Sequence, residues 1–163
     1  MIALDPNDVP ALDDKGIALA DLKKYDEALS TFDRALSLNG SNIFALSNKA
    51  LLFSELGRYD DAIAEYDKVL AIAPNDTFAL THKGRNLMNL DKFSLAAVQF
   101  DKALSIDPNN IDSLIGKGLV MENHLEFTKA IQYFNKVLSL DPANNYALKF
   151  KTIAEKTLSD KTS

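Results

Sequence analysis

Apolar residues recur along this chain at two periods at once. Locally they stand three and four residues apart, as in Ala28, Phe32, Ala35 and Leu36, the spacing of one face of a helix. Over a longer range the same faces return every 34 residues, with no insertion or deletion. Leu12, Leu46, Leu80 and Leu114 form one ladder; Gly16, Ala50, Gly84 and Gly118 form a second; Leu19, Phe53, Leu87 and Met121 form a third. After a short break come Tyr25, Tyr59, Phe93 and Phe127, then Ala28, Ala62, Ala96 and Ala130, then Phe32, Tyr66, Phe100 and Phe134. Each period therefore predicts two amphipathic helices. At about 13 residues such helices are marginal alone, so stacking of neighbours must supply their stability.

Punctuation agrees with the pattern. Asp8, Asn42, Asp76, Asn110 and Asn144 stand where a first helix begins, and Pro74, Pro108 and Pro142 end the preceding one. Asp26, Asp60, Ser94 and Thr128 read as caps of the second helices. Gly57 suits a left-handed helix end, with Lys23, Asp91 and Leu125 in its place elsewhere. The units are 9–42, 43–76, 77–110 and 111–144. Residues 145–159 start as a fifth first helix. Thr152 and Glu155 then replace the small and apolar residues, which reads as a solvating cap, and 160–163 are expected to be a disordered tail. At the other end Met1, Ile2 and Leu4 fall on the last ladder positions of a second helix. Residues 1–8 therefore read as the tail of a truncated preceding repeat, cut from a longer array.

The small ladders let backbones approach closely while the aromatic ladder fills the gap beside them. With the period, the aromatic ladder and the terminal proline, they closely resemble the tetratricopeptide repeat (TPR) over residues 9–144. The resemblance implies an all-α fold: a right-handed α-solenoid of stacked antiparallel helix pairs, the TPR superhelix, closed by a C-terminal capping helix. One departure recurs. Where the family usually has Leu, this chain has Lys15, Lys49, Lys83, Lys117 and Lys151. Their stems are expected to pack between repeats, with the ammonium groups meeting the acidic ladder Asp33, Asp67 and Asp101.

Composition removes several functions. There is no cysteine, hence no disulfide or thiolate chemistry. The two histidines, His82 and His124, form no paired metal motif, and no phosphate-binding glycine loop or nucleophile elbow occurs. Asp13–Asp14 is expected on an exposed helical face and Asp60–Asp61 at a helix N-terminus, where anions are favoured anyway. No catalytic residue, cofactor or metal is expected, and the chain is read as a non-enzyme. The net charge of −5 sits entirely in residues 1–33, which hold eight acids and three bases (3 − 8 = −5). Nucleic-acid binders show a basic stripe instead, so polyanions are poor partners. No leader and no apolar run of about 20 residues is present, so the expected setting is cytoplasmic, without membrane insertion.

In TPR proteins the first helices line a concave groove for an extended peptide or a partner helix. Carried over, that face holds Asp13 and Asp14, with Asp21, at one end. Phe44, Asn48 and Leu51 follow in the second repeat, and Phe78, His82, Arg85 and Met88 in the third. Ile115 and Leu119 follow in the fourth, and Tyr146 and Phe150 lie at the far end. Some TPR domains clamp a chaperone's C-terminal carboxylate with Lys, Asn, Asn, Lys and Arg. Those places fall here on Asp13, Ile17, Asn48, Phe78 and His82, and only Asn48 fits, so no such clamp is expected. The leading expectation is a scaffold that binds a protein or peptide. The alternatives are an assembly module stacking head to tail, from an acidic start to a basic finish, or a regulatory region of a larger enzyme. The oligomeric state expected is a monomer or a weak head-to-tail association.

Overall fold

The computed structural model describes residues 7–162; residues 1–6, where most of the preceding repeat's tail was expected, lie outside them. Among the described residues there are nine helices and no strand. They are α1 (Val9–Asp21), α2 (Tyr25–Leu38), α3 (Ile43–Glu55), α4 (Tyr59–Ile72), α5 (Thr77–Asn89), α6 (Phe93–Ile106), α7 (Ile111–Asn123), α8 (Phe127–Leu140) and α9 (Asn145–Thr162). The chain divides into two compact units, Met1–Pro74 with α1 to α4 and Asn75–Ser163 with α5 to α9. Within each unit, consecutive helices pair as hairpins and neighbouring pairs stack. The first helices therefore touch one another: α1 meets α3 in the first unit, and α7 meets both α5 and α9 in the second.

The first helices are capped as their sequences predict. Asp8, Asn42, Asp76 and Asn110 accept from first-turn amides, and Asn144 Oδ1 accepts from Ala147 N at 3.0 Å. The second helices begin earlier than expected. They start at Tyr25, Tyr59, Phe93 and Phe127, behind Lys24, Arg58, Lys92 and Glu126, none of which caps with its side chain. Asp26, Asp60, Ser94 and Thr128 thus lie inside the first turn; the two acids still gain there from the helix dipole. The backbone itself makes the turn. Lys23, Gly57, Asp91 and Leu125 have φ of 59°, 72°, 57° and 62°, and the next amide returns to a carbonyl five residues back, as from Lys24 to Leu19.

The aromatic ladder is the core. Phe32, Phe100 and Phe134 are at most 1% exposed, each lying against a glycine of its paired helix. A Cβ on Gly16 would come 2.5 Å from Phe32, and one on Gly84 2.6 Å from Phe100. Two of the unusual lysines pair as expected. Lys49 Nζ lies 2.6 Å from Asp33 and 3.2 Å from Glu65, and Lys117 Nζ lies 2.8 Å from Asp101. Burial alone would lower the Lys49 pKa, but the two carboxylates outweigh it and raise it. The last helix runs further than predicted. Asp160 and Lys161, expected in a disordered tail, are helical, and the Lys161 ammonium lies over the Phe127 ring, 4.7 Å from its centre.

Candidate functional site

Each unit holds a cleft on its row of first helices. In the second unit Arg85, Met88 and Asn89 of α5 face Asp112, Ile115, Gly116 and Leu119 of α7, with Tyr146 of α9, around a space of about 300 Å³. Gly116 brings the α7 backbone against the core here. A Cβ there would come within 2.6 Å of Phe100 Cε2, so the Phe100 ring lies directly beneath the Gly116 backbone. In the first unit Ile17, Ala20 and Asp21 of α1 and Asn48, Leu51, Leu52 and Glu55 of α3 enclose about 160 Å³ beside Phe32 of α2.

The structure brings several predicted groove residues together and separates others. Arg85, Met88, Ile115 and Leu119 share the larger cleft, and Asn48 and Leu51 share the smaller one. Phe44 and Phe78 are 50% and 43% exposed at the starts of α3 and α5, outside both clefts. The Phe78 ring lies 4.1 Å from that of His82. Asp14 is exposed, as expected. Asp13 is not: it is 7% exposed and accepts a hydrogen bond from Asn42 Nδ2 at 2.8 Å, which ties α1 to the cap of α3. Phe150 turns toward the core, its ring 6.2 Å from buried Phe134 and 6.1 Å from Tyr146. It stands one repeat after Gly116, so the place that a ring takes beside Phe134 in one repeat is taken by bare backbone against Phe100 in the other. Asn48 donates Nδ2 to the Phe44 carbonyl at 2.9 Å, leaving its oxygen as the accepting end. Thr81, 3% exposed, shares a 2.7 Å hydrogen bond with Ser113, which ties α5 to α7.

Two titratable groups on α5 and α7 are shifted. Burial, with the Arg85 charge, lowers the His82 pKa against the opposing pull of Asp112. Burial raises the Glu122 carboxyl, one of whose oxygens is enclosed without a hydrogen-bond donor. Among the described residues no group of histidine and carboxylate side chains could hold a metal ion, and no helix is long and apolar enough to cross a membrane.

Tetratricopeptide-repeat family models match residues 14–77, 79–110 and 126–144, most of the chain. This chain belongs to the tetratricopeptide repeat family. No curated protein matches it in sequence. Among solved structures, residues 41 to the end of MamA from Desulfovibrio magneticus RS-1 are 26% identical, with a TM-score of 0.76 over 86% of this chain and 79% of that one. YrrB, described as a TPR protein with an unusual peptide-binding site, superposes with a TM-score of 0.76 at 19% identity, over 95% and 80% of the two chains. The first TPR of Spaghetti (RPAP3), bound to the HSP90 peptide SRMEEVD, gives 0.69 at 21% identity, over 72% and 93%. The fold and family of this TPR chain are those of a protein-interaction scaffold.

Proposed function

We propose that this chain binds an extended peptide or a partner helix along its first helices, without catalysis and without a chaperone carboxylate clamp. The cleft of about 300 Å³ on the second unit carries this reading. Met88, Ile115 and Leu119 lie off the core ladders; Ile115 and Leu119 pack partly against the core of the second unit and still present apolar surface to the cleft. Apolar walls beside a few polar groups, here Arg85, Asn89 and Asp112, are the usual make-up of a ligand site. The test is selection of a random-peptide display library on the full chain. Wild type is expected to enrich a peptide family that the Leu51→Glu, Leu119→Glu double variant, folded by circular dichroism, no longer captures. Equal capture by both would overturn the groove.

The missing clamp rests on side-chain chemistry. None of Asp13, Ile17, Asn48, Phe78 and His82 is a lysine or arginine, and Asp13 is buried against Asn42. The peptide SRMEEVD, held by the first TPR of Spaghetti, is expected to show no saturable binding in fluorescence anisotropy. Tight binding would sink this part. One observation favours the head-to-tail alternative. Leu148 continues the ladder of Leu46, Leu80 and Leu114, which are 1–2% exposed, yet Leu148 is 44% exposed. Sedimentation at rising concentration and two salt levels decides it: a salt-insensitive monomer excludes assembly.

A further inference from the structure

We infer that the cleft of the first unit is a subsite for one arginine side chain of the bound peptide; the inference rests on the groove reading above and names the chemistry of one of its positions. The floor and walls are apolar: Phe32 and Leu52 are 1% and 2% exposed, and Ile17, Ala20 and Leu51 are half-buried beside them. The polar groups lining the space are acceptors or can present one. Asp21 and Glu55 are the last residues of α1 and α3, one carboxylate from each helix, and the Asn48 amide has its nitrogen engaged at the Phe44 carbonyl. No lysine, arginine or histidine lines the cleft. Tyr25 donates its hydroxyl to Glu55 Oε1 at 3.2 Å, which steadies that carboxylate without neutralising it.

The combination selects its occupant. An uncharged apolar side chain would cover the slot but draw water from two carboxylates with nothing in return. A bare metal ion would find an apolar floor where it needs oxygen ligands. A long basic side chain satisfies both halves, its methylenes along Ile17 and Leu51 and its cation at the rim. Arginine fits better than lysine, because a planar guanidinium offers five fixed donors to acceptors on opposite walls, where an ammonium offers three from one point.

The experiment titrates the full chain with N-acetyl-arginine amide, and separately with the lysine, norleucine and glutamate analogues, while following backbone amide shifts. The expected result is saturable movement at Asp21, Asn48, Leu51 and Glu55 with arginine, less with lysine, and none with norleucine or glutamate. In the folded Asp21→Asn, Glu55→Gln variant the arginine response should weaken by roughly tenfold or more, as loss of charge-assisted hydrogen bonds predicts. No saturable shift at these residues, or an unchanged response in the double variant, overturns the subsite. The peptide library separates the two readings. Enriched peptides without arginine retain the groove and reject the subsite. No enrichment, with a saturable arginine response, rejects the groove and leaves a guanidinium site.

Discussion

In the first unit the cleft positions on α1 and α3 are Ile17, Ala20, Asp21, Asn48 and Leu51; two repeat lengths later the same positions on α5 and α7 are Arg85, Met88, Asn89, Gly116 and Leu119. Beneath them lie Phe32 and Phe100, both at most 1% exposed. The framework is thus one plan used twice, and the surface laid on it differs. Asn48 against Gly116 accompanies a change from about 160 to about 300 Å³. Asp21 against Asn89 removes a carboxylate, and Ile17 against Arg85 adds a cation. Residues on the ladders build the repeat; residues between them decide what it meets.

The largest effect should be common to both units. Phe32→Ala and Phe100→Ala are each expected to cost about 3–5 kcal/mol in denaturant unfolding, because both rings are buried and glycine-seated. A ring that could be truncated cheaply in one unit would break the shared framework. Exchanging the cleft residues should act unequally. Gly116→Asn drives a Cβ into the Phe100 ring and is expected to cost about 1–3 kcal/mol while filling the larger cleft. Asn48→Gly meets no such clash and should cost only about 0.5–1 kcal/mol through helix entropy.

A smaller contrast concerns the lysines. Lys117, with 9% of its side chain exposed, pairs with Asp101, whereas Lys49 lies between Asp33 and Glu65. Asp101→Ala should destabilise by about 1–2 kcal/mol, more than Asp33→Ala, which leaves Lys49 beside Glu65. The smallest effect is an acid-side pH dependence from His82, in the second unit. The His82 pKa is held below 6.5, so the unfolded chain takes up its proton first. Stability present above pH 6.5 should therefore fall as the pH drops through the folded value, and His82→Gln should flatten that slope in thermal melts.

How much of this was legible in the sequence follows from what each residue depends on. The buried aromatics, the first-helix caps and the left-handed turns at Lys23, Gly57, Asp91 and Leu125 depend on spacing within one repeat, and spacing can be read. Asp26, Asp60, Ser94 and Thr128 misled because good cap residues also suit a first turn, while the turn before them is made by backbone alone. Asp13 was misplaced because its burial depends on Asn42 of the next helix. Phe150 and Gly116 hold the same repeat position, and their effect depends on a ring from another helix, Phe134 or Phe100. How closely two helices approach is a property of such pairs, and no single helix face announces it.

The most direct measurement is amide shift mapping of the full chain with the most enriched library peptide. The account predicts perturbation along the first helices, at Met88, Ile115, Leu119 and Tyr146, with the second-helix residues Leu95 and Val98 unmoved although they are 55% and 47% exposed. Shifts centred on Leu95 and Val98, with the first helices silent, would contradict it.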